Sequence, residues 1–293
     1  LREDAFSRIG NRPVDHDRDF MGPFLAQAAR NIREVREDWL LFAEIDPFAV
    51  ATGHPLPPLP GASVNASHWY DLRTLSQKSF DPDCDAEATR RLYTEQLSQV
   101  RKAGDDVGVP TLLGEFGIPF DLNGGEAYAR WAAGERGDDL WRAHERALSL
   151  MYDALDELGI SSTQWNYTAS NRNDLRIGDR WNQEDLSIFS RDQQDEGHDG
   201  GRAVRGFARP YVRAAQGTLV AQAFDWESGV FSAEIDVDPA IAAPTEIVAP
   251  VVWFGHGGRL RHTGPGVEIA RRDGIWNIRG LGAGRLVLHL SGN

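Results

Sequence analysis

Thr111-Leu112-Leu113-Gly114-Glu115-Phe116-Gly117 is the stretch whose reading settles the fold. A short apolar run ended by glycine is the pattern of a strand covered on both faces, as in parallel sheets packed under helices. This run ends on a carboxylate set between two glycines, which let backbone and ligand come close. If the strand belongs to a barrel of parallel strands, its C-terminal tip lies on the face that carries active sites. Taken alone, Gly-Glu-Phe-Gly has an equally good bland reading, a glutamate that ends a strand and points to water.

The same texture extends on both sides. Phe24 to Val35 reads as a helix, and Leu40-Leu41-Phe42-Ala43 as another strand covered on both faces. Ser63 to Tyr70 is a weaker strand, and Ala86 to Ala103 a helix with Leu92, Gln96, Leu97 and Val100 on one side. Leu140, Ala147, Leu148, Met151, Leu155 and Leu158 form a helical stripe stopped by Gly159. Ser161 to Tyr167 is the next strand and Gly201 to Ala215 the next helix. The alternation predicts an α/β fold of about four strand-helix units, half of the eight in a TIM (β/α)8 barrel. The expected division is a partial barrel over 1–216 and a small antiparallel β-sandwich over 217–293. Past Gly217 the helical period is gone, and Phe231, Ala233, Ile235 and Val237 alternate with Ser232, Glu234, Asp236 and Asp238. Glu246 to Phe254, Gly274 to Ile278 and Arg285 to Leu290 read as further strands between Gly, Pro and Asp turns.

The neighbouring strand ends change the reading of Glu115. One strand earlier stands His68-Trp69-Tyr70-Asp71, where alternation puts His68 and Tyr70 on one side. One strand later stands Gln164-Trp165-Asn166-Tyr167. Three successive tips thus offer an imidazole and a phenol, a carboxylate, and an indole. Ordinary core aromatics account for each of these but poorly for the set.

The set resembles glycoside hydrolase family 5, whose sixth strand ends in His-x-Tyr, seventh in a nucleophilic Glu and eighth in a Trp. Trp165-Asn166-Tyr167-Thr168 and Trp181-Asn182-Gln183-Glu184-Asp185-Leu186-Ser187 are similar to its endoglycoceramidase and glucosylceramide or steryl-glucoside β-glucosidase group. The resemblance implies a retaining β-glycosidase with Glu115 as nucleophile. It also implies a Tyr70 hydroxyl that holds Glu115 ionised, sugar contacts from His68, and an apolar platform at Trp165. Asn166, Glu184 and Asp185 are the further candidate sugar ligands, with solvated loop acids as the bland alternative for the last two. The implied substrate is a β-glucoside with an apolar aglycone, a glycolipid such as a sphingolipid or sterol glycoside. A polysaccharide-active β-glucanase or mannanase, and a non-catalytic carbohydrate-binding remnant, are the alternatives.

The family's acid/base is a Glu in Asn-Glu-Pro at the end of strand four, and this sequence contains no Asn-Glu pair. Counting back from Glu115 makes Leu40 to Ala43 strand five. The first four strands are therefore expected upstream of Leu1, and the chain alone is expected to be inactive, with open sheet edges and an uncovered apolar face. Glu44 is the one spare strand-tip carboxylate before His68.

Composition bounds the rest. Of 293 residues, 41% are hydrophobic and 26% charged, which predicts a packed core. A formal net charge of -13 argues against nucleic-acid partners and anionic membrane surfaces, but not against neutral sugars. Cys84 is the single cysteine, so no internal disulfide is possible. No apolar run approaches the ~18 residues of a membrane span. The histidines lack metal-ligand spacing, and no glycine-rich phosphate loop or Gly-x-Ser-x-Gly elbow occurs, so no metal and no cofactor is expected. A monomer is expected, and the compartment stays open.

Overall fold

The computed structural model describes residues 6–45, 49–137, 139–180, 184–195 and 197–292. They form two compact units. One holds the segments through Tyr70, Glu95–Phe116 and Ile160–Gln164; the other holds Asp71–Thr94, Gly117–Gly159 and the chain from Trp165 on.

In the first unit, helix α1 (Gly22–Val35) carries Pro23 in its first turn, where no intrahelical donor is lost. Strand β1 (Leu41–Ala43) pairs in parallel with β2 (Ser63–Asn65), Leu41 opposite Ser63 and Ala43 opposite Asn65. After helix α2 (Ala86–Asp106), which belongs to this unit from Glu95 on, β3 (Leu112–Phe116) pairs in parallel with β4 (Ser161–Gln164). Parallel bridges Asn65–Thr111 and His68–Glu115 join β2 to β3. Four parallel strands therefore follow one another in chain order. The expected strand Ser63 to Tyr70 is a ladder only over Ser63–Asn65. Beyond it the backbone meets β3 through Gly114 N–H to the Ser67 carbonyl (3.1 Å) and Trp69 N–H to the Glu115 carbonyl (2.9 Å). The run Leu40 to Ala43 is not covered on both faces. Leu40 and Phe42 are 58% and 60% exposed, and Phe24 and Val35 of α1 are also exposed.

In the second unit, α3 (Leu122–Ala132) precedes α4 (Arg142–Leu158). Of the predicted stripe, Ala147, Leu148, Met151 and Leu155 are buried on α4, with Ala154 beside them; Leu140 is buried but precedes the helix, and Leu158 is only partly buried. Gly159 ends the helix in the left-handed conformation (φ 62°). A polar hairpin that periodicity did not reveal follows, β5 (Phe189–Asp195) and β6 (His198–Gly201). Gly200 turns there with φ +97°, and a Cβ on it would stand 2.3 Å from the Phe189 ring.

Gly201 to Ala215 is not the expected helix. It holds one helical turn, Val204–Phe207, and then strand β7 (Tyr211–Ala214). Pro210 denies Arg209 the helical region and leaves the chain extended. The antiparallel part accordingly begins before Gly217. One sheet has the order β8 (Gly217–Asp225), β9 (Val230–Val237), β14 (Gly284–Ser291), β11 (Arg259–Thr263). The other has the order β12 (Val267–Arg272), β13 (Ile275–Gly280), β10 (Thr245–Val248), β7. Strand β9 buries Phe231, Ala233, Ile235 and Val237, as alternation requires. Opposite it on β14, Arg285 pairs with Glu234 (2.7 Å) and Asp236 (2.6 Å) on the outer face. The expected strand Glu246 to Phe254 stops at Val248. Pro250 caps a helical turn over Val251–Phe254 instead. The core of this part joins both sheets through Phe224, Phe231, Ile247, Ile278, Leu286 and Leu288.

Candidate active site

Glu115 stands where the parallel ladder is interrupted. Leu113 faces Ser162 and Phe116 faces Gln164, so β3 uses one residue more than β4 over this interval. Such a bulge bends a strand and re-aims a side chain, and bulges gather next to active sites. The two glycines of the motif are required by close approach. A Cβ on Gly114 would lie 2.3 Å from the Ala66 carbonyl oxygen, and one on Gly117 would lie 2.3 Å from that of Trp165. The Thr163 hydroxyl donates to the Gly114 carbonyl and ties the bulge to β4.

The backbone bridge brings His68 opposite Glu115, and alternation then places Tyr70 on the same side. The Tyr70 hydroxyl donates to Glu115 Oε1. His68 Nδ1 lies 3.4 Å from Glu115 Oε2 and 3.0 Å from Glu44 Oε1. The side chains of His68, Glu115 and Glu44 are 23%, 22% and 32% exposed, open enough to meet a ligand and sheltered enough for their charges to interact. Burial pushes the His68 pKa below its ordinary value, and the negative charge of Glu115 works in the other direction. Burial thus favours the neutral form of the imidazole. Trp69, between His68 and Tyr70, points the other way. It is 1% exposed and its indole N–H donates to Gln96 Oε1 (2.9 Å).

Asn65 is a positioning residue that the sequence reading passed over. Its amide donates to the Val100 carbonyl (2.9 Å), while its Oδ1 accepts from the Ser67 hydroxyl (2.6 Å) and the Ser67 N–H (3.2 Å). It is fully buried and fixes the chain that leads to His68. Asn65-Ala66-Ser67 fits the pattern of an N-glycosylation acceptor, but a side chain so enclosed is not one in the folded protein.

The remaining predicted residues belong to the second unit. Trp165 is half-buried and follows directly on β4, and its peptide bond to Asn166 is cis. The Asn166 side chain is committed, its amide donating to Asp179 (2.8 Å) and its oxygen accepting from the Thr168 hydroxyl (3.1 Å). Trp181, Asn182 and Gln183 lie outside the described residues. Glu184 is partly buried, and its carbonyl accepts from the Asp179 N–H. Asp185 is not a loop acid open to sugar. It is 2% exposed, and its two oxygens take Arg202 at 2.5 and 2.8 Å, with the Tyr128 hydroxyl and the Asn171 amide (3.1 Å) as further donors. A carboxylate so engaged around a buried guanidinium holds structure together. Among the described residues, no group of three or more His, Cys, Asp or Glu side chains is gathered as a metal ion would need.

Comparison with known proteins bears on this geometry. Residues 209–279 match the family model described as the glycoside hydrolase family 5 C-terminal domain. A Rhizopus delemar protein named glucosylceramidase is 25% identical over 281 residues, covering 81% of this chain and 39% of its own length. A Cryptococcus neoformans protein of the same name is 27% identical, covering 85% and 38%. The chain thus spans about two fifths of the length of these curated relatives. Cryptococcus neoformans sterylglucosidase 1 superposes with a TM-score of 0.84 at 25% identity, over 100% of this chain and 46% of that one. Endo-glycoceramidase II from Rhodococcus sp. superposes with a TM-score of 0.58 at 20% identity over 93% of this chain and 55% of that one, a likeness of fold. With a family domain near its C-terminal end and relatives aligned over four-fifths of its residues, the chain is similar to glycoside hydrolase family 5 and to its glucosylceramidases and sterylglucosidases.

Proposed function

We propose that this chain carries the nucleophile of a retaining β-glycosidase acting on glucolipids, glucosylceramide or a steryl glucoside. The observation that supports this most is Glu115 at a strand-tip bulge, gripped at one oxygen by the Tyr70 hydroxyl and flanked at the other by His68. Oε1 is oriented by the phenol, and Oε2 is the oxygen that attacks the anomeric carbon. The bond from that carbon to the aglycone oxygen breaks as the glycosyl ester forms. An acid gives the departing oxygen its proton, then as a base takes one from the water that cleaves the ester. Trp165 is proposed as the platform under the reacting sugar and Glu184 as an acceptor for a sugar hydroxyl. The names of the relatives supply the aglycone class.

The four parallel strands are proposed as strands five to eight of an eight-stranded barrel. The exposed Leu40, just before β1, and Phe42 on it accord with an apolar wall that strands one to four would cover. The acid/base is then a glutamate of strand four, since no Asn-Glu pair occurs here. The test uses the longest natural polypeptide that contains this sequence, treated with a 2-deoxy-2-fluoro-β-glucoside bearing an activated leaving group. A covalent adduct on the Glu115 peptide is expected, and a label on Glu44 or Glu184 overturns the assignment. The 293-residue chain assayed alone is expected to turn over an unactivated glucoside at least about 100-fold more slowly, for want of the acid.

A further inference from the structure

Glu44 follows β1 by one residue and belongs to no sequence motif. In the structure its Oε1 lies 3.0 Å from His68 Nδ1, and Glu115 Oε2 lies 3.4 Å from the same nitrogen. One ring nitrogen therefore faces two carboxylates. A lone pair there meets negative charge from both, whereas an N–H is attracted by both, so the ring proton sits on Nδ1. The other edge of the ring lies close against Gly114, where a Cβ would come within 3.1 Å of His68 Cδ2. A glycine at that position lets the imidazole lie against β3 with Nδ1 turned to the carboxylates. A neutral ring protonated on Nδ1 carries its lone pair on Nε2.

We propose that Glu44 is a positioning residue that holds His68 as the Nδ1–H tautomer, so that Nε2 accepts a hydrogen bond from a sugar hydroxyl. Of the two carboxylates Glu44 is the nearer, so it draws the ring proton away from Glu115 Oε2. Tyr70 already occupies Oε1. Without Glu44, Nδ1 would face one carboxylate among the described residues in place of two, and the ring would divide between the Nε2–H tautomer and an Nδ1–H turned to Glu115. In the first form Nε2 no longer accepts; in the second the ring N–H closes on the oxygen that must attack, and a carboxylate hydrogen-bonded at both oxygens is a weaker nucleophile. This last step rests on the proposed function; the tautomer does not.

Glu44 is not the missing acid. Its oxygen and Glu115 Oε2 lie within about 6.5 Å of each other, near the spacing of a retaining pair. The imidazole nitrogen stands in contact with both, where a scissile bond would have to lie.

The tautomer is read from long-range proton–nitrogen correlation spectra of protein labelled with nitrogen-15 histidine, with His68→Gln identifying the signal. At pH 7 a protonated Nδ1 and an unprotonated Nε2 are expected. Glu44→Gln is expected to move Nε2 toward the protonated position, and Glu44→Asp to move it less. In the active polypeptide, Glu44→Gln is expected to lower kcat by about 10- to 100-fold, by analogy with the loss of a carboxylate that orients a metal-bound histidine. KM should change by less than about threefold, as for a loss felt in the transition state. A wild-type His68 protonated on Nε2 overturns the proposal, as does a Glu44→Gln variant with unchanged tautomer. Rescue of Glu44→Gln by azide, with activated leaving groups spared, would make Glu44 the acid and also overturn it. If the tautomer follows Glu44 but no glycosidase activity is found, the arrangement stands and the proposed function fails.

Discussion

Removing the buried guanidinium of Arg202 isolates what holds the region around Asp185. Arg202 is 0% exposed. Its Nη1 and Nη2 reach the two oxygens of Asp185 at 2.8 and 2.5 Å, and its Nε donates to the Ser187 carbonyl at 3.1 Å. Its plane lies over the Phe120 ring, 4.3 Å from the centroid. Arg202→Met keeps most of the stem and the ring contact but leaves Asp185 charged and without its counter-ion in a closed interior. Breaking one side of a buried pair costs about 3–5 kcal/mol, a large share of the roughly 5–15 kcal/mol of a typical domain. At about 2–4 °C per kcal/mol for a domain of this size, the melting temperature should fall by roughly 6–20 °C. The double variant Arg202→Met with Asp185→Leu removes both charges. It is expected to be more stable than Arg202→Met alone, with a coupling energy of about 2 kcal/mol in urea denaturation. A single-variant loss under about 1 kcal/mol, or strictly additive losses, would refute the view that this pair anchors the segment.

Tyr70→Phe removes the hydroxyl that grips Glu115 Oε1; a hydrogen bond to a charged group is worth about 1.5–3 kcal/mol, so kcat of the active polypeptide is expected to drop about 10- to 100-fold with the fold unchanged by circular dichroism. His144 is buried, its Nε2–H donating to the Phe120 carbonyl at 3.0 Å, and burial lowers its pKa to about 3. Below about pH 6.5 the unfolded chain binds a proton that the folded chain refuses, so His144 lowers stability by about 1.4 kcal/mol per pH unit as the pH falls toward 3. His144→Gln keeps a donor and does not titrate, and urea midpoints from pH 7 to 5 should show a flatter acid limb in the variant; parallel limbs would exclude the assignment.

The residues that the sequence placed well were those governed by local periodicity. His68 and Tyr70 share a side because side chains alternate, and the stripe of α4 faces inward because its apolar residues recur at helical spacing. Where packing partners lie far apart in sequence, local reading failed. Asp185 sits in a polar stretch that looks solvated, and only Arg202, with Phe120 and Tyr128 closing around it, makes it interior. Apart from Phe189, β5 and β6 hold only polar residues and glycine, so the hairpin carries no apolar alternation to detect. Glu44 could be flagged as a strand-tip acid, but its meeting with His68 depends on the parallel register of β1 against β2, which no residue of either strand announces.

Register also fixes the backbone around Glu115. His68 and Glu115 are bridge partners on adjacent parallel strands, so their Cα separation is set by the ladder, about 4.8 Å between strands, and not by side-chain choice. A slip of one residue would turn Glu115 to the opposite face and bring Gly114 or Phe116 to the tip. The close approaches at Gly114 and Gly117 oppose that slip, since any other residue carried into either position would drive a Cβ to within 2.3 Å of a carbonyl oxygen. The glycines of the motif therefore do more than make room for a ligand. They admit one register of β3, and that register is the one in which the Tyr70 hydroxyl meets Glu115.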